Sequence, residues 1–372
     1  MAAAVVMAGA AATLAGCGGC AGCNNNSKNT TLTNSNWYTG TSYKGIQPSF
    51  IKNAEHPEYK PEVILYDVTH DGSSNNSTYA VEYKDGAYTT EFYGTTYDWS
   101  KNAYHKAELE ETVYCYKTEL TISVRYSLKK GNKDVSEWFT DSMISESYFR
   151  AAGKNLQPVY SMQIIKSTSP DGYQVSSLAE AYTKVDVTYE NYYDVDCKQV
   201  TSVIKEAGKD EVVKTYSGLN KVKNTLFDNA YLYTAVRSMK LSKDLSQTIN
   251  LFSAAAGGVS TYTVEGSNSA LPEDQLKTIS AALTKAELYT PVTVDGEGNT
   301  VEDKGVPTVA VDVKYAGGNL QGTTQRIWYA AIQNIDNNTA RCTMLKIAVP
   351  LSYNLGTLNF TLNKVESTLW SK

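Results

Sequence analysis

The chain has 372 residues, a formal net charge of −5 and 28 Tyr against 7 Phe. A chain of this length can bury a sizeable core without disulfides, either as one large β domain or as two smaller ones. The mild negative charge and the lack of any Lys/Arg run exclude a nucleic-acid partner. The excess of Tyr, together with abundant Thr and Val, favours sheet over helix.

The N-terminal segment has the pattern of an export signal. Residues 1–15 are apolar and uncharged, and they are fewer than the about 20 that a transmembrane helix needs. The segment ends in Leu14-Ala15-Gly16-Cys17, which resembles a bacterial lipobox. This resemblance implies that 1–16 is a cleaved signal peptide. It also implies that Cys17 carries acyl chains such as palmitate, which would anchor the protein on the extracytoplasmic face of the cell membrane.

The residues that follow the lipobox, 17–36, are rich in Gly, Asn, Ser and Thr and predict a flexible tether. Cys17, Cys20 and Cys23 have the spacing of a zinc or iron–sulfur ligand run, and the alternative is that they are spare cysteines in the tether. We favour the alternative because a lipid would occupy Cys17 and no fourth ligand lies nearby. Since the first cation is Lys28, we expect a basic segment upstream of this sequence.

The body, 37–372, shows the alternation of apolar and polar residues that is typical of strands. Short connections between the runs indicate antiparallel neighbours, and a subdivision of this domain near Gly218 is left open. Asp85-Gly86 between two runs predicts a hairpin turn. The predicted strands of the first series are 62–68, 78–84, 87–93, 112–128, 135–149, 157–167, 184–190, 193–206 and 211–217.

Two amphipathic helices interrupt the strands. They are predicted at 228–239, with Asp228 as the N-cap, and at 272–288, with Pro272 at the first helical position. Each apolar stripe needs an apolar surface to cover, and the concave face of a curved sheet supplies one. The predicted strands of the second series are 247–254, 259–265, 308–315, 324–334, 340–349 and 357–365.

These elements predict a mainly β (α+β) fold: a large curved antiparallel sheet or half-barrel with two short helices packed on one face. The run from Asp228 to Arg237 is similar to the short helix of the LolA-like and LolB-like lipoprotein carriers, and 326–329 with 341–346 is similar to their closing hairpin. The resemblance implies an envelope half-barrel with a cavity for an acyl chain or another apolar ligand.

The chain holds few of the residues from which catalytic centres are built. Its three His lie in polar, turn-like stretches and support no Ser-His-Asp, Cys-His or zinc set. The run 295–299 alternates like a calcium loop, but it lacks the Glu that such a loop needs and predicts a hairpin turn. Cys115, Cys197 and Cys342 are interpreted as small buried side chains within strands. We therefore predict no catalytic residue, no metal ion and no cofactor.

Aromatic side chains are the remaining candidates for a ligand site. On one face of the sheet they would line a groove for a lipid or a sugar, and the alternative is ordinary cross-strand packing. The candidate ligand-binding residues are Tyr116, Trp138, Tyr160, Tyr231 and Trp328.

The sequence thus predicts a lipid-anchored, non-enzymatic envelope protein that binds an apolar or amphipathic ligand or an envelope partner. The alternative is an envelope-anchored glycan hydrolase that uses paired carboxylates, for which Glu110 with Glu111 and Asp194 with Asp196 are examples. A solute-binding partner of an ABC transporter is disfavoured, because such proteins alternate β and α units.

Overall fold

Within the residues that the computed structural model describes, which are 61–72, 79–128, 135–150, 156–170, 182–239, 241–316, 324–331, 342–351 and 355–367, the regular structure is almost all β. The strands, in chain order, are β1 Glu62–Asp71, β2 Tyr79–Asp98, β3 Glu110–Leu128, β4 Phe139–Arg150, β5 Pro158–Pro170, β6 Tyr182–Tyr193, β7 Gln199–Glu206, β8 Val212–Ser217, β9 Leu226–Asp228, β10 Ser246–Ser253, β11 Gly258–Ser267, β12 Thr308–Tyr315, β13 Thr324–Ala330, β14 Met344–Pro350 and β15 Thr357–Ser367. The α-helices are α1 Leu232–Arg237 and α2 Glu273–Lys285.

All of these strands belong to one sheet, in the order β8-β7-β6-β5-β4-β3-β2-β1-β15-β14-β13-β12-β11-β10-β9. Neighbouring strands are antiparallel except β9 and β10, which are parallel. The halves of the sheet meet at the β1–β15 pair, so the chain passes from one edge of the sheet to the other between β8 and β9. The predicted mainly β fold, a large curved antiparallel sheet with two short helices, is confirmed.

The prediction of a hairpin at Asp85-Gly86 is wrong. Both residues lie inside β2, a strand of 20 residues that pairs with β1 on one side and β3 on the other. The register with β3 shifts between Lys84 and Ala87, and Asp85 has a φ of 51°. The dipeptide is therefore a β-bulge, which bends and twists the strand locally. Gly is required there, because a Cβ on Gly86 would lie 2.7 Å from the Cβ of Val68.

The run 193–206, predicted as one strand, contains a turn. β6 ends at Tyr193, and the Asp194 carboxylate accepts hydrogen bonds from the backbone N–H of Lys198 and Gln199 at 2.6 and 2.9 Å. Cys197 has a φ of 55° in this turn. The reason is local: an Asp side chain that bonds to backbone N–H groups a few residues on competes with strand pairing.

The three body cysteines are buried and free, as predicted. All three were predicted to lie within strands, but of the three only Cys115 does. Cys197 lies in the β6–β7 turn, and Cys342 precedes β14 with a φ of 51°. The run 295–299 forms the predicted hairpin turn, in which the carboxylate of Asp295 accepts hydrogen bonds from two backbone N–H groups.

Helix α1 is short and lies within the curve of the sheet. All six of its residues are buried. The Tyr233 hydroxyl donates a hydrogen bond to Gln325 Oε1 on β13 at 3.0 Å, and the Tyr329 hydroxyl donates to the Tyr233 carbonyl at 2.8 Å. At the end of α1, Arg237 forms a two-pronged ion pair with Glu62 on β1, at 2.5 and 3.0 Å. We call the side of the sheet that contacts α1 the inner face.

Helix α2 lies against β14 and β15, and the segment just before it contacts β13. Lys346 on β14 donates a hydrogen bond to Gln275 Oε1 of α2 at 2.9 Å, and Trp328 on β13 donates to the Ser269 carbonyl just before α2 at 3.0 Å. Trp328 is next to Tyr329, which contacts α1, and successive strand residues point to opposite faces, so α2 lies on the side of the sheet opposite to α1. The prediction that both helices pack on one face is therefore wrong.

Candidate functional site

The interior of the curved sheet is filled by α1 and by aromatic side chains. The Tyr231 ring stacks on Phe149 at a centroid distance of 4.4 Å, and its hydroxyl donates to the Leu156 carbonyl at 2.7 Å. Tyr66, Tyr88 and other large inner-face rings are less than 2% exposed. Dense packing of this kind leaves dispersion contacts rather than open space. Because the described part of the inner face is filled in this way, it does not support the prediction that a lipid binds inside the curve of the sheet.

A row of small polar side chains on the inner face makes room for the segment before α1. Ser147, Ser161, Asn191 and Ser202 are direct cross-strand neighbours on β4 to β7, and all are buried. The Ser202 hydroxyl donates to Asn191 Oδ1 at 2.7 Å, and Asn191 Nδ2 donates to Ser161 Oγ at 2.9 Å. Larger side chains in this row would displace the segment that packs on it.

Asp228 lies on this serine row and is buried. One carboxylate oxygen accepts hydrogen bonds from the Ser161 and Tyr193 hydroxyls, both at 2.6 Å, and from Asn191 Nδ2 at 3.3 Å. The other accepts from the Ala230 backbone N–H at 2.8 Å, so Asp228 is an N-cap as predicted, but of a single 3₁₀ turn over 229–231. The helix predicted over 228–239 is α-helical only from Leu232 to Arg237. Burial raises the pKa of Asp228, while these hydrogen bonds act in the opposite direction. These hydrogen bonds join the end of β9 to β5 and β6 and to the turn before α1, so they fix this edge strand to the inner face.

The outer face of the same strands carries tyrosines. Because strand residues alternate between the faces, the neighbours of the serine row point outward. Tyr148, Tyr160 and Tyr192 form a cross-strand row on β4, β5 and β6, with ring centroids 6.1 and 5.1 Å apart. All three are half-buried. We call the surface that contains them the tyrosine face; it consists of Tyr97, Tyr104, Glu146, Tyr148, Tyr160, Met162, Glu190 and Tyr192.

A loop after β2 folds against one side of the tyrosine face. Its Trp99 is fully buried and donates a hydrogen bond to Glu111 Oε1 at 3.0 Å. The Tyr97 ring contacts Tyr148 at 5.7 Å, and Tyr104, 43% exposed, contacts Tyr192 at 5.1 Å. The rings thus form one connected aromatic surface with the loop as a border.

Two Glu–Tyr pairs flank the centre of the tyrosine face. The Tyr148 hydroxyl donates to Glu146 on β4, and the Tyr192 hydroxyl donates to Glu190 on β6 at 3.3 Å. Met162 on β5 lies between the two glutamates in register. The sheet therefore holds two carboxylates on either side of a central strand.

Lysines from the adjoining strands neutralise these carboxylates. Lys117 on β3 lies 3.4 Å from Glu146, and Lys205 on β7 lies 2.7 Å from Glu190. Each pair is exposed enough for water to screen it, so its contribution to stability is small. Each glutamate at the centre of the face thus has a lysine beside it, and Lys205 also lies 3.8 Å from Glu211.

The phenols of the tyrosine face remain protonated at neutral pH. Burial raises the pKa of Tyr148, Tyr160 and Tyr192, and the nearby glutamates act in the same direction. Burial also raises the pKa of Tyr93, next to this row, to about 12. These phenols are therefore neutral, and since Tyr148 and Tyr192 already donate their single proton to the glutamates, their oxygens can only accept a hydrogen bond from a ligand.

Of the predicted ligand-binding residues, the structure places Tyr160 at the centre of the tyrosine face. Tyr116 and Tyr231 lie on the opposite side, buried in the core. Trp138 lies elsewhere, with the Lys84 Nζ and Arg125 Cζ atoms 4.4 and 4.6 Å from its ring centroid. These four residues are not brought together.

Trp328 also lies apart from the tyrosine face. It is 7% exposed, and the Lys346 ammonium lies 5.4 Å from its ring centroid. Burial lowers the pKa of Lys346. Cys17 is outside the described residues.

The glutamates and most of the tyrosines in the face were missed by sequence reasoning. The signal was a repeated tripeptide: Glu146-Ser147-Tyr148 on β4 and Glu190-Asn191-Tyr192 on β6. In a strand each tripeptide puts Glu and Tyr on one face and a small polar residue on the other. Its recurrence at matching register could be recognised only with the strand order in hand.

A second concave surface lies beside α2. It is a cleft of about 470 Å³ lined by residues that include Lys277, Ser280, Asp303 and Gly305. Ser280 Oγ accepts a hydrogen bond from the Val306 backbone N–H at 2.9 Å, which fixes the loop against α2. The lining carries no cluster that points to a particular chemistry.

Within the part of the chain that the structure describes, no group of three or more His, Cys, Asp or Glu could hold a metal ion. No helix in that part is both long and apolar enough to cross a membrane.

No protein-family model matches the sequence, and no curated protein matches it significantly. The fold is similar to the crystal structure of a β-barrel-like protein of domain of unknown function DUF1849 from Brucella abortus. That similarity has a TM-score of 0.42 and 11% sequence identity, and it covers 83% of this chain and 98% of the other. The similarity assigns neither a site nor an activity to this chain. The lipobox and the resemblance to lipoprotein carriers stay predictions.

Proposed function

We propose that this protein is a lipid-anchored, non-enzymatic envelope protein that binds an amphipathic ligand or an envelope partner on its tyrosine face. The observation that carries the proposal is the connected row of half-buried tyrosines flanked by two glutamates. Tyrosine combines a large apolar ring with a hydroxyl at the rim, and it is enriched where proteins bind partners.

The outer face supports binding better than the interior does. The inner tyrosines are buried under α1, whereas those of the outer row keep part of their surface in water. Water that is released from partly exposed rings on binding contributes favourably to affinity. A ligand can reach this surface without moving α1.

The lipobox and tether support a location at the membrane. Acyl chains on Cys17 would hold the chain by burying CH₂ groups, and two or more chains make the anchor durable. A flexible tether over 17–36 spans about 25 Å on average. The body would therefore sit close to the membrane but remain free to turn its tyrosine face towards a partner.

Binding without hydrolysis is favoured over the glycan hydrolase. Glu146 and Glu190 are separated by β5, so their Cα atoms are about 10 Å apart across two strand spacings. A hydrolase needs one carboxyl group that donates a proton and one that is free to act as base or nucleophile. Here each carboxylate is engaged by a lysine and a tyrosine.

Tyrosine footprinting tests whether the face is occupied in the envelope. Intact cells and the purified full-length protein are treated with hydroxyl radicals, and the labelling of Tyr148, Tyr160 and Tyr192 is compared. We expect protection of these residues in cells but equal labelling of Tyr315, a half-buried tyrosine on β12. Equal labelling of all four tyrosines in both samples would refute the proposed binding face.

The anchor is tested separately with Cys17→Ser. Cells given a clickable palmitate analogue should label the unaltered protein but not the variant, and the variant should leave the membrane fraction. Unchanged labelling and fractionation of the variant would remove the lipid anchor from the proposal.

A further inference from the structure

We propose that the ligand of the tyrosine face is a neutral glycan chain that lies across the strands. This inference rests on the function proposed above and names the chemical class of the ligand. It depends on three properties of the face, which are its charge balance, its mixture of apolar and hydrogen-bonding groups, and its length.

The charge balance favours an uncharged ligand. Both glutamates at the centre are paired with lysines, Glu146 with Lys117 and Glu190 with Lys205. A cationic ligand would have to displace the lysines from the glutamates, and an anionic ligand would be repelled by the carboxylates. A neutral ligand can instead use the carboxylate oxygens that remain accessible, because each ionised carboxylate accepts several hydrogen bonds.

The groups on the face match the two surfaces of a sugar ring. A hexopyranose has an apolar side of C–H groups and a rim of hydroxyls. Tyr160 and Met162 offer apolar surface at the centre. Glu146 and Glu190 offer acceptors on the two adjacent strands, each next to a phenol. Apolar surface on β5 and hydrogen-bond acceptors on β4 and β6 are therefore one strand spacing apart.

The length of the row favours a polymer over a small molecule. Cross-strand pairs run from Tyr93 on β2 to Thr215 on β8, through the tyrosines on β4, β5 and β6. The members of the row on β3 and β7, Cys115 and Thr201, are buried. Six strand spacings of about 4.8 Å make this row about 29 Å long. A single sugar would cover only a small part of it, whereas an extended glycan would contact the three adjacent rings of Tyr148, Tyr160 and Tyr192 together.

Hydroxyl and imidazole groups continue the row beyond the tyrosines. On β7, Thr201 Oγ1 lies 3.2 Å from Thr215 Oγ1 and 3.1 Å from His105 Nε2. Burial lowers the pKa of His105, which keeps its ring uncharged at neutral pH. Thr201 itself is buried, so Thr215 and His105 are the uncharged polar groups that a glycan would reach at the β7–β8 end of the row.

Affinity electrophoresis provides the test. The full-length protein, extracted in mild detergent, is run in native gels that contain xylan, hydroxyethyl cellulose, laminarin or dextran. We expect at least one polysaccharide to retard it. Tyr160→Ala and Tyr192→Ala should each weaken that binding at least tenfold, and Tyr160→Phe, which keeps the ring, should weaken it less. Val292→Ala, an exposed change outside the face, is the matched control and should bind normally.

Thermal unfolding of each variant shows whether it has kept the fold. The proposal is overturned if no polysaccharide retards the folded protein, or if retardation is unchanged in the two alanine variants. It is also overturned if tetramethylammonium, a probe for cation–π binding, protects the face in footprinting while the polysaccharides do not. If no polysaccharide retards the folded protein but Tyr148, Tyr160 and Tyr192 are protected in cells, the glycan is rejected as the ligand and the proposed function is retained.

Discussion

The phenol of Tyr193 donates a hydrogen bond of 2.6 Å to the carboxylate of Asp228 and thereby joins two distant parts of the sheet. Tyr193 ends β6, the third strand from one edge, whereas Asp228 ends β9, the strand at the other edge. The curve of the sheet is thus held by side chains at this point. Burial and the nearby carboxylate both raise the pKa of Tyr193, so the phenol remains a donor.

We predict that Tyr193→Phe destabilises the fold by about 1–3 kcal/mol, because a buried carboxylate loses a donor. Asp228→Ala should cost more, since it leaves the donors of Tyr193, Ser161 and Ala230 unpaired. Urea unfolding measures both effects. The neighbouring half-buried tyrosine provides a control, and Tyr192→Phe should change stability by less than about 0.5 kcal/mol. Equal losses for the two phenylalanine variants would contradict this role of Tyr193.

Asp141 should make stability depend on pH. It is fully buried on β4 and accepts a hydrogen bond from the Thr168 backbone N–H at 2.8 Å. Burial raises the pKa of Asp141 to about 7. Since the pKa of an unfolded Asp is about 3.9, the folded state binds this proton more tightly. Its stabilising effect is complete below about pH 4 and is lost as the pH rises to about 7.

We therefore expect Asp141→Asn to gain stability over the unaltered protein as the pH rises from 4 to 8, by up to about 4 kcal/mol. Asn keeps the acceptor for Thr168, and the raised pKa of Asp228 adds a slope of the same sign in both proteins. Urea unfolding at several pH values measures the difference. Asp210→Asn, an exposed change in the β7–β8 turn, should show no such trend. A difference that is independent of pH would contradict the prediction.

Gly86 should tolerate no side chain. A Cβ there would lie 2.7 Å from the Cβ of Val68 and 2.8 Å from its carbonyl oxygen. Gly86→Ala must therefore push β1 away from β2, and we expect a loss of about 1–3 kcal/mol. Gly72→Ala is the matched control, because no heavy atom of another part of the chain lies within 4 Å of its added Cβ. Thermal unfolding compares the two, and similar midpoints would show that the bulge can adjust.

The ion pair between Arg237 and Glu62 should couple α1 to β1. Both side chains are at least nine-tenths buried. Arg237→Met alone should cost about 3–5 kcal/mol, because it leaves a buried carboxylate without its cation. The double variant with Glu62→Met should be less destabilised than the sum of the single changes. A double-mutant cycle in urea measures this coupling, and additive losses would show that the pair does not act as a unit.

Local patterns predicted most elements, because side-chain periodicity reports directly on which faces are buried. The strand from Thr357 and the helix after Pro272 needed no tertiary information. The conformation at Asp85-Gly86 could be predicted only with tertiary information, since the same dipeptide is compatible with a hairpin turn and with a β-bulge. Which one forms depends on whether the flanking runs pair with each other or, as here, with β1 and β3.

The candidate site was less predictable than the fold. Tyr116 and Tyr160 lie on similar alternating runs, yet one is in the core and the other on the outer face. The alternation of side chains along a strand shows that neighbouring residues point to opposite faces of the sheet, but it does not show which face is covered by another element. That outcome was decided by α1, which packs against one side of the sheet.

The sequence by itself determined the β-rich composition, the alternation within strands and the capping role of Asp228, because each depends on residues close together in the chain. Only the tertiary structure decided that Asp228 would meet Tyr193 and Ser161, and that tyrosines from β4, β5 and β6 would form one surface. The physical reason is register: cross-strand neighbours are far apart in sequence, and their meeting depends on how every strand between them pairs.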